Sequence, residues 1–229
     1  MYLCEYLFRN RHNIAGSPLE SGRTERGLDD CLRLRLDLGE MRFAAEALGI
    51  KDVVAVAPWP THPFYIDALA ELLKKALEGA EGVTDPGATG SDIPHVLFSA
   101  HSLPKSFIDA GDPYVEHIMA TIAALMSRFN NPWSIGYQSR SGPVEWLEPS
   151  AESEIKRLAA EGVKQVVAVP ISFVSDHIET LYEVDILYKG LAQEAGMRLT
   201  RTESLNVHPV FIRALEDLVV TATRKEGWL

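Results

Sequence analysis

Cysteine is scarce. The 229-residue chain holds two, Cys4 and Cys31, both near its start and with no CxxC pair. That argues against a thiolate zinc site and a disulfide framework, and two lone thiols fit a reducing cytoplasm. Basic residues are outnumbered, 22 Lys and Arg against 32 Asp and Glu, giving a formal net charge of −10. Nucleic acids and strongly anionic membranes are held by concentrated Lys and Arg, so neither is expected as the main partner. Long apolar runs are missing as well: none reaches the roughly 18 residues that span a bilayer. The opening stretch, with Arg9, Arg11 and Asp29, has no apolar core of a secretory signal. A peripheral membrane contact stays open, as does the oligomeric state.

What is present is an ordinary globular composition, 46% hydrophobic and 24% charged, which supplies a buried core. Residues 1–50 stand apart. They carry seven arginines and no lysine, whereas residues 51–229 carry eight lysines. Leu32 to Leu38 alternates as a half-buried strand would, yet no hairpin or crossover signal flanks it.

From Lys51 the pattern becomes regular. Val53–Ala57 reads as a short strand, and Ile66, Leu69, Leu72, Leu73 and Leu77 stripe a helix opening near Pro63. Gly79 to Asp92 reads as a linker. Beyond it, apolar runs at His95–Ala100, Trp133–Gln138, Gln165–Pro170 and Leu199–Ser204 predict strands. Helices are expected between them: from Asp112-Pro113 to Phe129, over Ser150–Glu161 closed by Gly162, and over Asp176–Ala195 closed by Gly196. A last amphipathic helix starts at Pro209. Such alternation implies βαβ crossovers and a parallel sheet, an α/β fold.

In open parallel sheets, ligands bind beyond the carboxyl ends of the strands. His101 directly follows the His95 strand, and Asp176, His177, Glu179 and Glu183 follow the Gln165 strand. Glu179 and Glu183, four apart, share a helix face. An imidazole facing a carboxylate can ligate a borderline divalent metal such as Fe²⁺ or Zn²⁺, or accept a proton near neutral pH. Taken singly each residue has a plainer reading. A histidine after a strand is more often structural, two glutamates are usually a solvated face, Asp176 suits an N-cap, and Trp146 and Phe173 suit a core.

Three longer strings change that balance. Leu97-Phe-Ser-Ala-His-Ser-Leu-Pro104, Tyr137-Gln-Ser-Arg-Ser-Gly-Pro-Val-Glu-Trp-Leu-Glu-Pro149 and Pro170-Ile-Ser-Phe-Val-Ser-Asp-His-Ile-Glu-Thr-Leu-Tyr-Glu183 closely resemble three blocks of the ferrochelatase family, in family order and spacing. Glu203-Ser-Leu-Asn206 and the helix after Pro209 resemble its ending. The resemblance runs from about Lys51 to Val220. Ser141 stands where the family commonly has Val or Ile.

The resemblance implies two Rossmann-like, chelatase-type domains with parallel sheets, the first one incomplete. It divides the chain into an atypical segment 1–50, a first-domain remnant and linker 51–90, a second domain 91–206, and a carboxyl-terminal helix 207–229 packing back on the first domain. The implied activity is insertion of Fe²⁺, as substrate, into protoporphyrin IX to form protohaem. His101 and Glu179 would be the catalytic and metal-handling pair, with Glu183 as a further metal ligand, and Trp146, Phe173 and His177 would border the porphyrin. Two departures weigh against a complete site. The family often continues its carboxylate row one turn further, where this chain has Leu187. The family's amino-terminal strings Asn-Leu-Gly-Thr-Pro, Tyr-Gly-Asn-Pro and Tyr-Pro-Gln-Tyr-Ser are absent. A catalytically impaired fragment, a non-catalytic porphyrin-binding remnant, and a chelatase for another tetrapyrrole or metal therefore stay open. So does the choice between protoporphyrin and coproporphyrin. No iron–sulfur cluster is expected.

Overall fold

A computed structural model of the chain describes residues 44–50, 53–81 and 93–229. The alternating stretch Leu32–Leu38, both cysteines and most of the expected linker lie outside the described residues. Four strands form one parallel sheet: β1 (His95–His101), β2 (Trp133–Gln138), β3 (Gln165–Pro170) and β4 (Arg198–Arg201), in the order β2-β1-β3-β4. Between them run α2 (Lys105–Asp109) and α3 (Tyr114–Met126), then α4 (Ala151–Ala160), then a π-helical segment (Thr180–Tyr188) that continues into α5 (Lys189–Glu194). Helices α1 (Pro63–Glu81) and α6 (Pro209–Lys225) flank the sheet in sequence.

The central strands read as apolar runs because both of their faces are covered. Side chains of a strand alternate between faces, and here Val96, Phe98 and Ala100 of β1 with Val167 and Val169 of β3 meet α1, α3 and α6. Leu97, Val166 and Ala168 point the other way, onto Ile155 and Leu158 of α4, Val184 and Tyr188 of the π segment, and Ala192 of α5. The result is a three-layer α/β/α sandwich. Gly136 lets α4 approach β2: a Cβ there would lie 2.6 Å from the Ala151 Cα. Ser150 caps α4, its Oγ accepting from the Ser153 backbone N–H at 3.0 Å. Helix α3 begins one residue later than its Asp-Pro signal, with Asp112 Oδ1 accepting from the Tyr114 N–H at 2.9 Å.

Three expectations are corrected. Val53–Ala57 is not a strand; a strand needs a neighbour to take its backbone hydrogen bonds, and the single sheet of the described residues has none beside it. The last strand ends at Arg201 rather than Ser204, where the chain turns off to pack Leu205 into the core. The helix expected over 176–195 starts later and is π-helical through its middle. Within the described residues, 53–81 supplies one helix and no strand. That helix joins the core of the four-stranded sheet. It packs on α6 through Tyr65 and Phe211, with Trp59 edge-on to Tyr65 at 5.2 Å, and Lys75 ties it to Glu203 at 2.7 Å.

Candidate functional site

The strand order has a switch point: the chain leaves β1 for β2 on one side, then crosses to β3 on the other. Crevices open beyond the carboxyl ends of strands at such points. His101 is the last residue of β1, between Gln138 of β2 and the segment that follows β3. The ladder continues past the strand ends, which fixes the histidine backbone. The Ile171 N–H donates to the Ser99 carbonyl at 2.9 Å, the His101 N–H to Ser172 Oγ at 2.9 Å, and the Ser102 N–H to the Gln138 carbonyl at 2.8 Å. The Tyr114 hydroxyl donates to the His101 carbonyl at 2.7 Å, tying the strand end to α3.

That scaffold brings His101 and Glu179 together. His101 Nδ1 lies 3.3 Å from Glu179 Oε2, with the side chains 24% and 37% exposed. His177 Nδ1 is 4.0 Å from the same oxygen. Phe173 stacks on the His177 ring at 5.1 Å and stands edge-on to His101 at 6.2 Å. These four residues form one rim. Trp146 enters from another direction. It bridges to Pro104, three residues past His101, and its indole N–H reaches the Gly142 carbonyl at 3.5 Å.

Glu183 follows Glu179 but faces other partners. Its Oε2 accepts from Ser139 Oγ at 2.8 Å and from the Tyr188 hydroxyl at 3.4 Å. The metal set His101, Glu179 and Glu183 suggested by the sequence is thus not closed into a cage. Among the described residues no group of three or more His, Cys, Asp or Glu side chains converges in metal-holding geometry. Ser139 and Tyr188 were not singled out by sequence reasoning. Ser139 is the residue directly after β2, held at φ +62°, a left-handed conformation uncommon outside glycine that clusters at functional sites. Its position in the second family-like string was the available signal. Asp176 is not a helix cap: it pairs with Asn206 and Arg201.

The two carboxylates are pushed apart electrostatically. The facing His101 holds Glu179 below the usual glutamate range, with burial opposing. Burial, then the charge of Glu179, pushes Glu183 above it, with the Ser139 hydrogen bond opposing. Burial also raises Tyr188, keeping it a neutral donor. Neighbouring acids driven in opposite directions are the arrangement from which acid and base roles are built. Two clefts of about 340 and 380 Å³ lie elsewhere, along β4 and the 201–209 loop, both bordered by Arg201 and Glu203.

The ferrochelatase family model matches residues 37–223, more than half of the chain. This chain belongs to the ferrochelatase family. It is 47% identical over 181 residues to a ferrochelatase of Trichormus variabilis, covering 77% of this chain and 45% of the relative. It is 52% identical over 160 residues to a ferrochelatase of Geotalea daltonii, covering 69% and 48%. The chain therefore spans about half the length of these ferrochelatase relatives. Among solved structures it aligns with a putative cobalamin biosynthesis CbiX protein of Marinobacter aquaeolei at a TM-score of 0.44 and 20% identity, covering 58% of this chain and 99% of that one. The ferrochelatase match places His101, Ser139 and Glu179 inside the shared region. No helix among the described residues is long and apolar enough to cross a membrane.

Proposed function

We propose that this chain carries the proton-accepting and metal-delivering wall of a ferrochelatase, inserting Fe²⁺ into protoporphyrin IX to give protohaem. The observation that carries the reading is the 3.3 Å contact of His101 and Glu179 at the switch point of the sheet. Insertion exchanges one Fe²⁺ for two pyrrole protons. Two N–H bonds break, the ring nitrogens take the metal, two protons go to bases, and Fe²⁺ sheds its water. A neutral imidazole and an ionised carboxylate are both bases, and both are ligands suited to borderline Fe²⁺. Glu179, held ionised, offers charge to the incoming cation; His101 accepts a proton or hands over the metal. Among the described residues no third His, Cys, Asp or Glu joins His101 and Glu179 in metal-holding geometry, which suits a metal handled as a passing substrate. The planar Phe173 and His177 rings and the half-buried Trp146 suit the edge of an apolar macrocycle. A cytoplasmic setting belongs to the same reading.

The length of the matched relatives motivates a second reading, in which the chain binds porphyrin without turnover. One assay decides between them. Fluorescence of protoporphyrin IX is followed with Zn²⁺ as the inserted metal, for the full chain and for His101→Ala. Insertion above the uncatalysed rate, lost in the variant, supports the enzyme reading. Quenching of porphyrin on binding with no insertion above the blank replaces it with the binding reading.

A further inference from the structure

Each of the four strands delivers something to the same end of the sheet. β2 leads to Ser139, β1 ends at His101, β3 leads to Phe173 and Glu179, and β4 ends at Arg201. The last is the one whose purpose is unaccounted for. Arg201 is 14% exposed, and its guanidinium reaches into the segment that bears the site carboxylates. Nε donates to Asp185 Oδ1 at 2.9 Å; Nη1 lies 3.5 Å from Asp176 Oδ1 and donates to the Thr202 carbonyl at 3.1 Å and to Ser204 Oγ at 3.3 Å. Asp176 is gripped a second time: its Oδ2 accepts from Asn206 Nδ2 at 2.9 Å, and its own N–H donates to Asn206 Oδ1 at 2.9 Å. Asn206 also donates its backbone N–H to the Val174 carbonyl at 2.9 Å, from a left-handed φ of +42°.

The spacing gives these contacts their meaning. Asp176 lies three residues before Glu179, and Asp185 two residues after Glu183. One planar, always-charged fork therefore holds both ends of the stretch that carries both carboxylates. The chain is π-helical over Thr180–Tyr188, so Asp176 lies ahead of that run and Asp185 inside it. Such turns are rare and occur mostly as single-turn bulges at functional sites, so a nine-residue run needs support from outside itself. The core supplies some through Val184 and Tyr188. The outward side, with Ile178, Tyr182 and Ile186 exposed, supplies none among the described residues.

We propose that Arg201 is a positioning residue, a clamp from β4 whose grip on Asp176 and Asp185 sets the register of the π segment and so places Glu179 against His101. Its consequence for turnover rests on the metal-insertion reading; its consequence for geometry does not. The clamp needs a fork: a lysine ammonium keeps the charge but cannot present two coplanar donors to separate carboxylates.

The experiment separates the two levels. Amide hydrogen exchange and the ¹⁵N resonances of the His101 ring are measured on the folded full chain, wild type, R201Q, R201K and D185N. In R201Q, amides of 180–188 should exchange at least about tenfold faster while those of β1 and β3 keep their protection, and the His101 Nδ1 resonance should move. R201K and D185N should show the same pattern, smaller. Zinc insertion should lose up to ~10²-fold in kcat, the scale of a 1 Å misplacement, with KM for porphyrin within about twofold. A residue that merely stabilises the fold would lower the denaturation midpoint and leave the His101 resonance and the selective exchange unmoved; that result overturns the proposal. If R201Q does not fold, R201K decides, and wild-type exchange and resonances in it also overturn the proposal. Moved resonances without any zinc insertion by the wild type would keep the clamp and remove the metal-insertion reading.

Discussion

Strand β1 begins and ends on a histidine, and the two ends of the sheet treat them differently. At the amino-terminal end His95 is buried, its Nε2 2.9 Å from the Ser134 hydroxyl. The nearby carboxylate, Glu154, is 7% exposed and is closed off by Arg157, whose Nε and Nη2 bind its two oxygens at 2.7 and 2.8 Å. At the carboxyl-terminal end Glu179 lies across from His101 and Glu183 accepts from Ser139, just past β2, yet among the described residues neither carboxylate pairs with a guanidinium. The clamp Arg201 is spent on Asp176 and Asp185. The same residue types thus make a finished structural network at one end and an unfinished, part-exposed one at the other. Burial leaves His95 below the usual histidine range, hence neutral. Among the described residues Glu179 has histidines beside it and no Lys or Arg, which on the proposed insertion reading leaves its charge open to an incoming cation.

If that difference is functional, substitutions at the two ends should fail in different currencies. The largest effect is expected at the open end: His101→Ala should lower kcat for zinc insertion by about 10² to 10⁴-fold, the range of a lost general base. Its unfolding free energy should fall by no more than about 1 kcal/mol, since a strand-end side chain carries little core. Chemical denaturation beside the insertion assay checks both halves. His95→Ala should do the reverse, costing about 1–3 kcal/mol by stranding Ser134 and opening a buried site, with insertion unchanged at temperatures where it is folded. Gly136→Ala probes the scaffold between the ends. The clash with the Ala151 backbone should cost about 1–3 kcal/mol, and a denaturation midpoint equal to wild type would contradict the close packing of β2 on α4.

The smallest effects concern pH. Glu183 has its folded-state pKa raised, so it favours the folded state below its unfolded value and loses that contribution as pH rises through the folded one. Glu183→Gln should therefore be slightly more stable than wild type near neutrality, with the gap closing in acid. Glu179 is depressed, so its contribution is present above the unfolded value and lost as pH falls through the folded one. Glu179→Gln should be slightly less stable near neutrality, with that gap also closing in acid. Thermal midpoints across pH 3 to about 8 read both, and parallel curves would contradict the opposed environments of the two acids.

Much of this was readable in the chain because the determinants are local. β1, β2 and β3 announce themselves as short apolar runs with turn residues after them, and His101 and Glu179 follow from lying just past two of them. Leu199 reads as strand, but the sequence gives no sign that Arg201 points back under the π segment. Nor could spacing reveal the π geometry. Glu179 and Glu183 share a face under either winding, and the choice is settled by Val184 and Tyr188 in the core and by the clamp at Asp176 and Asp185. Ser139 escaped because a lone serine has no periodicity and only its place in the second family-like string marks it; its left-handed backbone and its bond to Glu183 exist only in the fold. Val53–Ala57 misled because an apolar pentapeptide predicts a strand only where a partner edge is available.

The central claim, that the carboxyl-terminal end of the sheet is the insertion site and the amino-terminal end its structural counterpart, is tested most directly by crossing the two histidines. Zinc insertion into protoporphyrin IX and urea unfolding are measured on the same preparations of wild type, His101→Ala and His95→Ala. His101→Ala is expected to be stable and inactive, and His95→Ala destabilised and active. Insertion by folded His101→Ala at the wild-type rate would contradict it.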